Sequence, residues 1–88
     1  MHFYVDPDKV AYRVTDKEAV LIQTDTSYYY GLNAVGTYIW EQLAEGRRTA
    51  DELAVAVSEE FEQPRSAVEA DVCALLADLK KEGLVGED

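Results

Sequence analysis

The stretch Tyr28-Tyr29-Tyr30-Gly31-Leu32-Asn33 decides how this chain folds, because it joins a predicted strand directly to a predicted helix. Its first five residues suit a strand that is short, aromatic and carries little charge. If this strand lies at the edge of a sheet, it has no obvious device for repelling another strand. Natural proteins rarely leave such an edge undefended unless something pairs with it. The stretch therefore favours a module that binds a peptide.

Two further strands are predicted ahead of this one. Apolar and polar side chains alternate from Val10 to Val14, which is the period of a half-buried strand. Ala19–Thr24 is apolar and β-branched, as expected of a strand with stronger burial. Polar turns at 15–18 and 25–27 separate the three strands. The pattern predicts a three-stranded antiparallel meander that ends at Leu32.

A first helix is predicted from about Ala34 to Ala44. Asn33 suits its N-cap, and Gly46 ends it. Gly36 costs a helix on the order of 1 kcal/mol relative to alanine, so we expect close packing of the helix start against the sheet. Trp40 lies on the apolar stripe of this helix and is expected in the core.

Two more helices are predicted from capping-box patterns. The segment 49–52 opens a helix that runs to about Phe61, and the segment 66–69, with Ser66 as its cap, opens a longer helix that ends at Gly83. After Gly83 the chain is expected to return over the core. The expected core stripe of the long helix is Val68, Val72, Leu75 and Leu79.

Strands followed by helices predict an α+β domain with a winged helix-turn-helix-like scaffold, a three-stranded antiparallel sheet followed by three helices. Its 88 residues are enough for a single domain, 1–88, with an ordered core from about 10 to 85. We expect His2 to lie in a frayed N-terminus and the acidic tail beyond Gly86 to be loose. No apolar run could span a bilayer and no signal peptide is evident, so no membrane is expected and a cytoplasmic location is the default.

The charge balance bears on the choice of partner. Eighteen acidic residues oppose eight basic ones, for a net charge of -10, so most of the surface would repel nucleic acid. Basic or neutral partners are favoured. The single cysteine, Cys73, excludes an internal disulfide and is expected to be a small buried apolar residue. With one histidine and no glycine-rich phosphate loop, we expect no metal site, no cofactor and no catalytic residues.

The order and spacing of several motifs resemble the PqqD-like family of RiPP recognition elements, which take part in making ribosomally synthesised, post-translationally modified peptides. The resemblance runs from about Val10 to Val85. The motifs are Val20-Leu21-Ile22, Tyr29-Tyr30-Gly31-Leu32-Asn33 leading into Gly36, Ile39-Trp40, Thr49-x-x-Glu52-Leu53, Val68-Glu69-x-Asp71-Val72, Leu75-Leu76-x-x-Leu79 and Gly83-Leu84-Val85.

This resemblance implies a non-catalytic chaperone that binds the leader region of a precursor peptide. The leader would extend the sheet along the third predicted strand and lie against the third helix. The free-standing form is similar to the leader-binding proteins of lasso-peptide pathways, which hand the precursor to a leader peptidase. The same fold also serves radical-SAM enzymes, so either kind of maturation enzyme is a candidate partner.

Strand addition would draw on the backbone of the third strand and on a groove beside the long helix. From composition alone, the tyrosines fit stacking within a sheet as well as binding, and the resemblance favours binding. The carboxylates of Asp71 and Asp78 on the third predicted helix would either contact a basic leader residue or remain solvated. The predicted peptide-binding residues are Tyr28, Tyr29, Tyr30, Gly31, Leu32, Asp71, Ala74, Leu75 and Asp78.

Rival functions find less support in the sequence. A winged-helix DNA-binding regulator is the main alternative, yet the long helix opens with Glu69 and Asp71 where basic residues would be needed. An acyl carrier would need a serine at a helix start in an Asp-Ser-Leu-like motif. An enzyme is the least favoured class, because no nucleophile has a histidine base in a recognisable arrangement.

Overall fold

The computed structural model describes all 88 residues. Strands β2, β3 and β4 form an antiparallel sheet in that order, and β1 pairs with β5 in a separate two-stranded sheet. The predicted α+β class, with a three-stranded antiparallel sheet followed by three helices, is confirmed. The elements are β1 (Phe3–Tyr4), β2 (Val10–Thr15), β3 (Glu18–Gln23), β4 (Tyr28–Leu32), α1 (Ala34–Glu45), α2 (Ala50–Glu60), α3 (Arg65–Lys81) and β5 (Gly86–Glu87).

Two tight connections set the register of the main sheet. Asp16 and Lys17 join β2 to β3 with positive φ angles of 49° and 66°, as a two-residue hairpin of primed type requires. At the next turn, the side-chain oxygen of Gln23 accepts hydrogen bonds from the amides of Asp25 at 2.7 Å and Thr26 at 3.1 Å. The sheet therefore keeps one register, with one face turned toward the helices.

The core lies between the inner face of the sheet and the three helices. Trp40 is fully buried, as predicted, and its ring meets the edge of Tyr12 with 5.7 Å between centroids. Its indole N–H finds no hydrogen-bond partner. The buried core residues are Val10, Ala19, Leu21, Leu32, Ile39, Trp40, Leu43, Leu53, Ala54, Val57, Val68, Val72, Leu76, Leu79, Leu84 and Val85.

The start of α1 packs closely on the end of β4. The side chain of Asn33 accepts a hydrogen bond from the amide of Gly36 at 2.9 Å, which confirms Asn33 as the N-cap. A Cβ atom on Gly36 would lie 3.1 Å from Cδ2 of Leu32. The expected close packing at Gly36 is therefore found, and it fixes the direction in which α1 leaves the sheet.

The two predicted capping boxes have different outcomes. At the start of α2, Thr49 and Glu52 cap one another reciprocally, through bonds of 2.8 and 3.1 Å. The box predicted with Ser66 as its cap is wrong, because α3 begins earlier, with Pro64 at the N-cap and no side-chain cap. The carbonyl of Pro64 accepts the amides of residues 67 and 68, so Ser66 lies inside the first turn.

The core stripe of α3 differs from the prediction at one position. Val68, Val72 and Leu79 are buried as expected, but the fourth buried residue is Leu76. Leu75 is only half-buried. The buried residues recur at intervals of four, four and three, which keeps them on one face of a helix. This difference matters for function, because Leu75 faces the side of the domain that forms the groove described below.

Other expectations for α3 fare unevenly. Gly83 has a φ of 74° and ends the helix as predicted, with the amide of Leu84 bonded to the carbonyl of Leu79 at 2.8 Å. Leu84 and Val85 return to the core, also as predicted. The expectation of a buried Cys73 is wrong, because this residue lies on the exposed face of α3.

The ends of the chain are paired, so the predictions of a frayed N-terminus and a loose acidic tail are wrong. The backbone groups of His2 and Asp88 exchange hydrogen bonds of 3.1 and 3.0 Å at the end of the β1–β5 pair. The guanidinium of Arg47 stacks over the ring of Tyr4 at 4.5 Å and forms an ion pair with Asp88. We call the β1–β5 pair with these contacts the terminal clasp. No helix is both long enough and apolar enough to cross a membrane.

Candidate peptide-binding groove

Strand β4 leaves one of its edges open. It pairs with β3 along one edge, with Tyr30 opposite Leu21 and Leu32 opposite Ala19, and no strand of this chain covers the other edge. Open edges of this kind present unpaired N–H and C=O groups to any extended chain that approaches. The edge predicted from the tyrosine stretch is therefore present and accessible.

The hydrogen bonds at the end of β4 show which backbone groups point outward. The amide of Ala19 donates to Oγ1 of Thr37 at 2.8 Å, and that hydroxyl donates to the carbonyl of Leu32 at 3.5 Å. The backbone groups of Leu32 therefore face β3. Because this direction alternates along an antiparallel strand, the N–H and C=O groups of Tyr29 and Gly31 project from the open edge.

The side chains of β4 alternate between two faces of the sheet. Leu32 is buried and Tyr30 half-buried, so their shared face is the core-facing one. Tyr28 lies on the same face, with its ring centroid 6.4 Å from that of Tyr30, and remains 45% exposed. Tyr29 is 66% exposed on the outer face, where Gly31 adds no side chain. The tyrosine side chains thus pack partly against one another on the sheet, and much of their surface remains exposed to solvent.

A groove of about 440 Å³ runs beside the open edge, between β4 and the helices α1 and α3. Its volume falls within the range of common ligand-binding clefts. A Cβ atom on Gly31 would point to the outer face, beside the side chain of Tyr29, and would meet no atom within 4 Å, so that side of β4 is open. The groove is lined by Tyr30, Gly31, Leu32, Asn33, Val35, Gly36, Ile39, Asp71 and Leu75.

The structure brings some of the predicted site residues together and leaves others at the margin. Tyr30, Gly31, Leu32, Asp71 and Leu75 all line the groove. The predicted residues outside its lining are Tyr28, Tyr29, Ala74 and Asp78. Ala74 and Asp78 are exposed on the flank of α3 that continues from the groove.

Sequence reasoning missed the contribution of α1. Asn33, Val35, Gly36 and Ile39 line the groove, although none of them was among the predicted peptide-binding residues. Val35 and Ile39 are four residues apart and so share one side of α1, and the structure places that side next to β4. That spacing was the available signal, and it could have placed α1 beside the open edge.

The α3 side of the groove is acidic. Asp71, Leu75, Asp78 and Glu82 recur at intervals of four, three and four, which places them along one face of the helix. The three carboxylates form no ion pair within the chain. They are therefore free to meet basic groups brought by a ligand.

Tyr30 links the groove electrostatically to α3. Burial raises the pKa of its phenol, and the negative charges of Asp78, Tyr28 and Glu82 raise it further. The phenol consequently stays neutral at physiological pH, where it can donate a hydrogen bond. The groove thus combines an apolar floor, a phenol donor and an acidic wall beside an open strand edge.

An open sheet edge with a helix-walled groove defines a class of small peptide-recognition domains. Residues 18–85 match the family described as Coenzyme PQQ synthesis protein D (PqqD). The chain belongs to the PqqD family and is a PqqD-like RiPP recognition element. The family resemblance seen in the sequence is therefore confirmed.

Two solved structures are similar over nearly their whole length. One, described as TbiB1 in complex with the TbiA(beta) leader peptide, has a TM-score of 0.85 and 33% identity and covers 97% of this chain and 96% of its own. The other, lasso peptide synthetase B1 complexed with the leader peptide, has a TM-score of 0.82 and 26% identity, with coverage of 99% and 100%. The chain matches no curated protein.

Proposed function

We propose that this protein binds the leader region of a precursor peptide by adding it as a strand along β4, within the groove formed with α1 and α3. The observation that carries the proposal is the outward direction of the backbone groups of Tyr29 and Gly31 beside a 440 Å³ groove. The two similar structures, each a complex with a leader peptide, support it.

In this mode of binding, the backbone and the side chains of the leader have different roles. Main-chain hydrogen bonds to the edge would supply affinity that depends little on sequence, and alternate leader side chains would supply selectivity. Those on the inner side would enter the groove between Tyr30 and Leu75, where apolar or aromatic residues fit best. A basic leader residue next to them would meet Asp71, with Asp78 further along the helix.

The same proposal covers the rest of the pathway. The 88 residues act as a single recognition domain without a catalytic step of their own, and present the bound leader to a maturation enzyme. Because the chain is similar to lasso peptide synthetase B1, a leader peptidase is the favoured partner. A radical-SAM enzyme is the alternative, since the family also includes the PQQ synthesis protein D.

The DNA-binding alternative gains no support from the structure. A recognition helix needs free basic groups on its exposed face. The side chain of Arg65, at the start of α3, is already engaged by Glu69 at 3.0 Å and by Asp51 at 3.7 Å. The exposed face that follows carries Asp71 and Asp78, which would repel phosphates.

Amide hydrogen exchange provides a direct test of strand addition. The probes are the TbiA(beta) leader peptide and the leader of any precursor encoded beside this protein. We expect binding to slow exchange at the amides of Tyr29 and Gly31, which point outward in the free protein. The neighbouring amide of Tyr30 already faces β3 and that of Tyr28 donates to Oγ1 of Thr26 at 3.3 Å, so both should change little and serve as an internal control. Unchanged exchange at Tyr29 and Gly31 with both peptides would contradict the proposal.

A further inference from the structure

A second cleft lies on the opposite side of α1 from the peptide-binding groove, beside the hairpin that joins β2 to β3. It has a volume of about 320 Å³, and we call it the distal cleft. Its aromatic part is formed by Tyr38 and Phe61, whose rings meet edge to face with 5.7 Å between centroids. The distal cleft is lined by Val14, Lys17, Ala34, Thr37, Tyr38, Glu41, Glu60 and Phe61.

Two carboxylates, Glu41 and Glu60, line the distal cleft, and Glu45 and Glu59 lie at the nearby helix ends. Glu41, Glu45, Glu59 and Glu60 are all exposed, and none forms an ion pair. One cation, Lys17 on the hairpin, also lines the cleft, and it forms no ion pair with these carboxylates. The cleft therefore has a negative rim around an aromatic surface.

Three of these carboxylates lie at helix C-termini, where negative charge is unfavourable. Glu45 lies in the last turn of α1, and Glu59 and Glu60 in the last turn of α2, and neither turn holds a basic residue. Negative charge at a helix C-terminus opposes the helix dipole, and an external cation would relieve this repulsion. Burial and the negative charges of Glu60, Glu59 and Glu45 raise the pKa of the Tyr38 phenol.

We propose that the distal cleft is a docking site for an arginine- or lysine-bearing segment of a protein partner other than the leader. The cation would lie over the ring of Tyr38, between the carboxylates of Glu41 and Glu60. An aromatic face flanked by negative charge is the arrangement that a guanidinium or ammonium group prefers. The acidic rim specifies the charge of the occupant, and the net charge of -10 steers it inward.

The two surfaces can be occupied together. Val35, Gly36 and Ile39 line the peptide-binding groove, while Ala34 and Tyr38 line the distal cleft, so the two sites use different sides of α1. A basic enzyme surface docked at the distal cleft would leave the open edge of β4 clear for the leader. This inference goes beyond leader binding and does not require it.

The test is an NMR titration of the ¹⁵N-labelled full chain with the probe peptide acetyl-Ala-Arg-Ala-Arg-Ala-amide. We expect shift changes to concentrate at Thr37, Tyr38 and Phe61. Glu41→Lys combined with Glu60→Lys should lower the affinity about tenfold, as expected for loss and reversal of two exposed charge contacts. Asp8→Lys combined with Asp25→Lys makes the same change in net charge at exposed carboxylates elsewhere, and should lower the affinity less than about twofold.

A second variant separates the aromatic contribution from the charge. Tyr38→Leu retains every carboxylate and should weaken the probe peptide about threefold through loss of the cation–π contact. Circular dichroism of each variant checks that it folds. If the charge-reversal variant does not fold, the affinity of Tyr38→Leu for the probe peptide tests the docking site.

Two results would overturn the proposal. One is an equal loss of affinity in the Asp8 and Asp25 control, and the other is shift changes spread over all acidic surfaces. Either would show general attraction to an acidic protein. Leader binding is measured separately in the Glu41 and Glu60 variant, where it should persist. If only leader binding fails in the wild type, the leader proposal is contradicted and the docking site stands.

Discussion

Gly31 is the residue at which backbone recognition can be tested most cleanly. Its N–H group points away from the sheet, and a Cβ atom there would meet nothing within 4 Å. Gly31→Pro removes that donor, and proline is tolerated on an edge strand where the N–H faces solvent. We expect leader affinity to fall about fivefold, corresponding to one lost hydrogen bond. Isothermal titration calorimetry measures the change.

The control for this prediction is Gly31→Ala, which keeps the N–H group and adds only a methyl group in open space. It should bind the leader within about twofold of the wild type. Equal losses in Gly31→Ala and Gly31→Pro would indicate that bulk at this position matters and that its backbone donor does not. Unchanged affinity in Gly31→Pro would contradict pairing along this edge.

Tyr30 predicts a dependence of stability on alkaline pH. Its folded pKa is raised above the ordinary value of 10.0, so the folded state holds the phenolic proton more tightly than the unfolded chain does. The resulting stabilisation is complete below pH 10 and is lost as the pH rises through the folded pKa. We expect the free energy of unfolding, measured with urea, to fall above pH 10 less steeply in Tyr30→Phe than in the wild type.

Tyr38 should also contribute to the loss of stability at alkaline pH. Its folded pKa is also raised by burial and by Glu60, so Tyr38→Phe should flatten the alkaline dependence too, and the double variant should flatten it further. A wild-type slope in all three variants would show that neither phenol responds to its surroundings as described.

At the scale of the element, the two predicted capping boxes supply a matched pair of substitutions. Thr49 caps α2 through a hydrogen bond of 3.1 Å to the amide of Glu52, whereas Ser66 caps nothing. Thr49→Ala should therefore lower the free energy of unfolding by about 1 kcal/mol. Ser66→Ala should leave it within about 0.5 kcal/mol, because alanine is favoured inside a helix.

Chemical denaturation of both variants measures the difference. Because capping stabilises α2 and not the groove, leader affinity should be unchanged in either case. A larger loss in Ser66→Ala than in Thr49→Ala would show that the two helix starts had been interpreted in the wrong order.

The sequence predicted the elements well because their signals are local. Alternation in β2, β-branched residues in β3 and the Asn33 cap each depend on a few neighbouring residues. The start of α3 was predicted wrongly from Ser66, because the N-cap is Pro64, two residues earlier in the chain. Leu75 and Leu76 are adjacent, so a small error in helix phase exchanged the core residue for the groove residue.

The groove was harder to predict than the strand that borders it. Tyr30, Gly31 and Leu32 were found from β4 itself, but the contribution of Val35 and Ile39 depends on the angle at which α1 crosses the sheet. That angle follows from the contact between Gly36 and Leu32, which no local pattern specifies. Pairing of the two chain ends is likewise a contact between residues more than 80 positions apart, beyond the reach of local patterns.

At the scale of the whole molecule, the terminal clasp should contribute to stability and not to leader binding. Removing residues 86–88 deletes β5 and the hydrogen bonds between His2 and Asp88. We expect the free energy of unfolding to fall by about 2 kcal/mol, corresponding to a few lost backbone hydrogen bonds. The clasp lies on the side of α3 away from the groove, so leader affinity should hold.

The matched control is the full-length chain with Glu87→Gln and Asp88→Asn, which loses the same two side-chain charges and keeps the backbone. The Arg47–Asp88 pair is about half exposed on both sides, and Glu87, only 13% exposed, pairs with a Lys80 side chain that is 55% exposed, so we expect a loss of about 1 kcal/mol. Equal destabilisation of the truncated and neutralised chains would assign the stability of the clasp to charge and not to strand pairing.

The hydroxyl of Thr37 has a consequence for how the protein meets its ligand. By connecting the amide of Ala19 to the carbonyl of Leu32, this one buried group joins both strands to the first turn of α1. The end of β4 is therefore held in place in the free protein, and we expect little conformational entropy of this region to be lost on association. Nearly all the ordering falls on the incoming chain, so leaders that already favour an extended conformation should bind most tightly.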